Sequence, residues 1–86
     1  MQNSLNYGAT LAEAKQHLAD RVQFHTGTLN GAWETFSGDK FYVVRSYGTA
    51  IAWLADGIKP EVFSSAYTHS TTTTKHANLV KKAWGI

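Results

Sequence analysis

Four histidines, His17, His25, His69 and His76, and a run of hydroxyls from Ser70 to Thr74 are the side chains of this sequence best equipped for chemistry. A protein metal site needs three or more converging ligands. The histidines lack His-x3-His spacing and the chain has no cysteine. No metal site, no cofactor and no disulfide are expected. A catalytic triad needs a nucleophile, a base and an orienting acid. No Gly-x-Ser-x-Gly elbow marks a nucleophile, and the six acidic residues are scattered. The expectation is a non-catalytic protein.

The hydroxyl run reads as the start of a helix. Ser and Thr compete with the backbone inside a helix and cap its first turn. The N-cap is placed at Thr71 or Thr72 and the end at Trp84, with Gly85 as the stop. At about 100° per residue, Thr73, His76, Ala77, Val80, Ala83 and Trp84 share one arc. Lys75, Asn78, Lys81 and Lys82 fall on the opposite arc. His76 therefore points inward, where an imidazole calls for a hydrogen-bond partner more than for a metal. The helix start with Lys75 is also a place where an anion can bind. No acid follows Glu61, so the excess positive charge gathers here. Lys75, Asn78, Lys81 and Lys82, with Tyr67 and His69 near the helix start, are the candidate nucleic-acid contacts. Their plain alternative is a solvated helix face whose last lysines complement the helix dipole.

The elements that must position these residues follow from pattern and punctuation. Thr10-Leu11-Ala12-Glu13 fits a capping box, and Leu11, Ala14, Leu18 and Val22 recur at helical spacing. A helix is expected over about 10–22. Gly27, Asn30 and Gly31 punctuate a turn region. Short strands are expected at 32–36, 40–47 and 49–55, separated by Ser37-Gly38-Asp39 and Gly48. A last strand is placed at 61–67, after Pro60, which excludes the middle of a ladder. The fold class is α+β: an antiparallel meander of three to four strands flanked by an N-terminal and a C-terminal helix, in the order α-β-β-(β)-β-α. Eighty-six residues hold one core, so 1–86 is one domain, with 1–8 a loose N-terminal segment. At 43% hydrophobic and 16% charged residues, the chain is too apolar for disorder. It has no apolar run of membrane-spanning length. No basic stretch leads into an apolar one at the N-terminus, so a cytoplasmic location is expected.

The aromatics are the more informative feature. The strands carry apolar residues on both faces: Phe41 and Val43 against Tyr42 and Val44, and Ile51 and Trp53 against Ala52 and Leu54. Two helices on one face leave the other open, whereas helices split between the faces cover both. An open aromatic face suits a protein partner or a second copy. Tyr42, Tyr47 and Trp53 are its candidate contacts.

Ser46-Tyr47-Gly48-Thr49-Ala50-Ile51-Ala52, then Tyr67-Thr68-His69-Ser70-Thr71-Thr72, then Lys75-His76-Ala77-Asn78, resembles a small bacteriophage domain of unknown function, found above all in actinobacterial phages. The family pattern is roughly SYxTxIA…YSxTTSRHxN. The likeness covers about residues 40–84; Lys75 stands for the pattern's Arg, and His69-Ser70 is displaced from its Ser. The resemblance implies phage origin and a role in the bacterial host cytoplasm, with a host or phage protein as partner. It brings no activity with it. In element order and basic last helix the chain is also similar to double-stranded RNA-binding domains, an analogy of fold alone.

Overall fold

The computed structural model describes residues 6–7, 11–68 and 70–86, and of Asn6, Tyr7, Leu11 and Tyr67 the backbone alone. Thr10 and most of the 1–8 segment lie outside the described residues. The chain runs β1 (Asn6–Tyr7), α1 (Leu11–Asp20), β2 (Phe24–His25), β3 (Leu29–Phe36), β4 (Asp39–Ser46), β5 (Thr49–Ala55), β6 (Ile58–Val62), a 3-10 turn (Ser64–Tyr67) and α2 (Thr71–Trp84). The architecture is α+β. Strands β2 to β6 form an antiparallel meander in sequence order, and β1 adds parallel to β2.

Two-residue turns set the hairpins. Ser37-Gly38 and Tyr47-Gly48 both take positive φ at both positions, 52° and 85° in the first and 53° and 83° in the second. That mirror-image turn matches the right-handed twist of the strands it joins. Gly31 is not a turn residue, so β3 begins at Leu29 and not at Ala32. Gly31 is a strand position where Tyr42 and Phe24 pack so closely that a side chain has no room. The strand expected at 61–67 lies earlier, at Ile58–Val62, with Pro60 inside it. It is the edge of the sheet, where a missing N–H is tolerated. Ser64–Tyr67 instead forms a 3-10 turn that delivers Ala66 to the core.

The N-cap of α2 is Ser70, one residue before the expected position. Its hydroxyl accepts the Thr73 N–H at 3.1 Å. Gly85, at φ 69°, closes the helix, and the Ile86 N–H donates back to the Lys81 carbonyl at 3.0 Å. Helix α1 ends the same way, but with Arg21 in the left-handed conformation at φ 57°. The Val22 N–H then donates to the His17 carbonyl at 3.1 Å.

Both helices cover one face of the sheet. Ala14 and Leu18 of α1 and Ala77 and Val80 of α2 pack with Phe24, Leu29, Tyr42, Val44 and Leu54 in a single core. The last carbonyls of a helix have no intrahelical partners. Leu18 accepts the Arg21 N–H at 3.2 Å, and three aromatic side chains from other elements bond the carbonyls of Leu18 and of Arg21 and Val22 just past the helix. Trp84 Nε1 donates to the Leu18 carbonyl at 3.0 Å, Trp33 Nε1 to Arg21 at 2.9 Å, and Tyr42 Oη to Val22 at 2.7 Å. The C-terminal end of α1 is thereby tied to α2, β3 and β4 at once.

A bulge breaks the simple alternation of β5. Val44 faces Ala52 but Arg45 faces Ala50, so Ile51 is the extra residue. Ile51 joins Ala52 in the helix-side core and does not share a face with Trp53, as strict period-two spacing had it.

Candidate interaction face

Among the described residues, the opposite side of the sheet carries no helix. Phe36, Phe41 and Trp53 project from it on β3, β4 and β5, and Phe63 follows just after β6. Their rings form a continuous strip. Phe36 and Phe41 meet edge to face with centroids 5.8 Å apart, Phe41 and Trp53 stack at 4.9 Å, and Trp53 and Phe63 meet edge to face at 5.5 Å. Phe36 is 43% exposed, and the other three rings are half-buried. Val43, paired with Trp53, is buried although it lies outside the helix-side core cluster. Side chains of its own sheet face must therefore shield it.

Charge on this face is net acidic, because by register Asp39 beside Phe36 and Glu61 beside Trp53 join the Arg45–Glu34 pair. Arg45 on β4 and Glu34 on β3 form a two-pronged ion pair, Nη1 to Oε2 and Nη2 to Oε1, with both side chains 30% exposed. Glu61, across from Trp53, lies at the β6 edge.

The three residues proposed from sequence for this face do not lie together. Tyr42 is fully buried on the helix side, where its hydroxyl binds Val22 and its ring meets Trp33 and Trp84. Burial pushes its phenol pKa well above the ordinary value. It has no surface to offer a partner. Trp53 is on the open face. Tyr47 is at the β4–β5 turn and 59% exposed, its ring 6.1 Å from that of His76. Phe36 and Phe63 were missed. The signal for Phe36 was present in the two-residue turn at Ser37-Gly38, which fixes its register against β4 and brings it beside Phe41.

His76 sits in a buried polar chain. Its Nδ1 is 2.7 Å from Ser46 Oγ, which is 3.3 Å from Thr73 Oγ1, and Ser70 Oγ donates to Thr73 at 3.1 Å. Donors running from Ser70 to Thr73 to Ser46 to His76 satisfy the whole set and leave Nδ1 as the acceptor of a neutral ring. Burial lowers the His76 pKa, which favours that neutral form. Ser46 is itself buried, so this Ser–His pair is no reactive dyad open to a substrate. The cluster joins the end of β4 to the first turns of α2.

Lys75, Asn78, Lys81 and Lys82 are exposed on α2, away from the aromatic strip. His69 and the Tyr67 side chain lie outside the described residues. A cleft of about 650 Å³ opens between the tips of the β3–β4 and β5–β6 hairpins, lined by Trp33, Ile58, Lys40, Asp39 and Asp56 among others. Among the described residues no three His, Asp or Glu side chains converge as a metal site. No helix is long and apolar enough to cross a membrane.

The profile of a family of unknown function, DUF8033, matches residues 10–84. The chain belongs to this family. The match takes in both helices and the strands from β2 to β6. No curated protein and no solved structure matches the chain.

Proposed function

We propose that this member of DUF8033 is a non-catalytic interaction module that docks a protein surface on its helix-free sheet face. The observation that carries the reading is the strip Phe36–Phe41–Trp53–Phe63, with no element among the described residues over it. Exposed aromatic strips of this kind mark interaction sites, and Trp and Arg are the residue types enriched where binding energy concentrates. In the phage setting implied by the sequence resemblance, the partner is a host or phage protein met in the bacterial cytoplasm, or another copy of the chain.

Binding of the dye ANS to the folded, dilute protein tests the face. The expected result is dye fluorescence that disappears in Trp53→Ser and Phe41→Ser, with circular dichroism unchanged. Equal fluorescence in wild type and variants would remove the reading.

A second reading is favoured by a separate observation. Three lysines and Asn78 are exposed along α2, and α2 contains no acidic residue. Such a face suits nucleic-acid phosphates. The aromatic strip and this basic face lie on different sides of the molecule, so base stacking and phosphate contact do not combine on one surface. Binding of short DNA and RNA duplexes and single strands across a salt series separates the readings. Phosphate contacts weaken steeply with salt. Affinity lost on changing Lys75, Lys81 and Lys82 to Glu would establish the second reading.

A further inference from the structure

We infer that the occupant of the open sheet face is a basic protein segment that lays two arginine side chains on the two carboxylate–aromatic pairs of that face, Asp39 beside Phe36 and Glu61 beside Trp53. The inference rests on the reading of that face as an interaction surface and adds the chemistry of the partner.

The face runs against the sign of the molecule. The chain carries a formal charge of +2, from eight Lys and Arg against six Asp and Glu. By register, Glu34, Asp39 and Glu61 share the open face with Phe41 and Trp53, and among the described residues Arg45 is the one Lys or Arg placed there. Arg45 is held by Glu34 in the two-pronged pair. Asp39 and Glu61 have no ion-pair partner among the described residues, so they set the charge a partner meets. The nearest other cations are placed elsewhere. Lys40 alternates with Phe41 and so lies on the helix side. Lys59 falls in the bulge of β6, set against Leu54 of the helix-side core. His25, level with Arg45 through Asn30, accepts the Gly27 N–H on Nδ1, the role of a neutral ring. A second copy of this face, or a nucleic-acid phosphate, would meet like charge here.

Each free carboxylate stands across the ladder from an aromatic residue, Asp39 from Phe36 and Glu61 from Trp53. Cross-strand partners have Cβ atoms about 5 Å apart. A guanidinium suits that pairing better than an ammonium. Its fork takes both carboxylate oxygens while its plane stacks on the ring, and tryptophan is the best ring for a cation. Phe36 is exposed and Trp53 half-buried, so both rings keep surface to stack on.

The two pairs also set a spacing. Glu61 is level with Val43 through Trp53. It therefore lies two strands across and four residues along from Asp39, roughly 16 Å at the usual strand spacing and rise. Phe41 lies between the two pairs and gives the segment an apolar floor. A helix covers that length in about eleven residues, three turns, which returns its side chains to one face.

The test is fluorescence anisotropy of a labelled, alanine-based helical peptide, titrated with the full chain at low salt. The peptide carries two arginines about eleven positions apart, with leucines between them on the same face. A control peptide carries glutamates in place of the arginines. Wild type is expected to bind the arginine peptide and not the control. Asp39→Asn and Glu61→Gln should each weaken binding about five-fold, as loss of an exposed charge pair does. The double variant should lose about twenty-five-fold, since the two sites are too far apart to couple. Asp20→Asn removes the same charge from α1, off the face, and should leave the affinity within about two-fold. All three positions are exposed, so thermal melts should not change. Equal losses in Asp20→Asn and Asp39→Asn would reduce the effect to net charge and overturn the inference, as would binding of both peptides or of neither. Low-salt self-association that needs Asp39 together with Lys75, Lys81 and Lys82 would also overturn it, since the occupant is then the α2 face of another copy. If the peptide result fails while ANS binding still depends on Trp53, the interaction face stands and only its occupant is wrong. If ANS binding does not depend on Trp53 either, both readings fall.

Discussion

Replacing Gly31 with alanine exposes how the core is locked. A Cβ at Gly31 would lie 2.5 Å from Tyr42 Oη, 2.7 Å from Phe24 Cε1 and 2.9 Å from Tyr42 Cζ. The Tyr42 hydroxyl cannot simply retreat, because it donates to the Val22 carbonyl at 2.7 Å. Gly31 does not have positive φ, so backbone strain plays no part. At an open strand site alanine would be favoured over glycine by roughly 0.5–1 kcal/mol. Here overpacking costs about 1–3 kcal/mol, and loss of the Tyr42–Val22 bond adds about 1 kcal/mol. The expected destabilisation is roughly 2–4 kcal/mol. In a domain whose total stability is on the order of 5 kcal/mol that is a large share. It lowers the melting temperature by roughly 10–25 °C. Urea denaturation of Gly31→Ala, Tyr42→Phe and the double variant reads it out. Tyr42→Phe removes the nearest clashing atom, so the double variant should be more stable than the sum of the singles implies, by at least about 1 kcal/mol. A Gly31→Ala protein as stable as wild type, or strictly additive effects, would refute this account of the packing.

Arg21→Gly should stabilise the domain by about 0.5–1 kcal/mol, because the left-handed C-cap of α1 strains a residue with a Cβ; a denaturant midpoint unchanged or lowered would contradict it. His76 is held neutral by burial, with its folded-state pKa below the ordinary 6.5. Stability should therefore be full above about pH 6.5 and fall as the pH drops from there through the folded-state value. Melts of His76→Gln over the same range should show a shallower loss, and an identical slope would assign the acid sensitivity elsewhere. Trp84→Phe keeps a ring against Tyr42 and removes one of two donors to the Leu18 carbonyl, the Arg21 N–H remaining at 3.2 Å, at a cost of about 0.5–1.5 kcal/mol; a neutral result in urea denaturation would mean that the bond adds nothing net.

The layout of the fold was legible because local signals agreed. Ser37-Gly38 and Gly48 marked the hairpins, runs of apolar, aromatic and β-branched residues marked β4 and β5, and Gly85 marked the end of α2. What was not legible depended on tertiary fit. Gly31 reads as a turn in sequence, but it is glycine because Tyr42 and Phe24 need its space. Pro60 reads as a boundary in sequence, yet an edge strand accommodates it. The bulge at Ile51 reassigns one side chain from face to core, and no period-two pattern records it. Tyr42 and Trp53 looked alike as partner-facing aromatics. Their separation rests on which face the helices cover, a tertiary choice marked by the carbonyls of Leu18, Arg21 and Val22 meeting Trp84, Trp33 and Tyr42. His76 was readable as an interior residue from the helical arc, whereas its partner Ser46 lies 30 positions away and came only with the fold.

The central claim is that the Phe36–Phe41–Trp53–Phe63 face is where this protein meets a partner protein. NMR shift mapping with the dye ANS on the folded, dilute chain tests this most directly. The account predicts shifts centred on the Trp53 indole and the Phe41 ring, and none on α2. Shifts confined to α2 or to the hairpin cleft, or none from the aromatic strip, would contradict it.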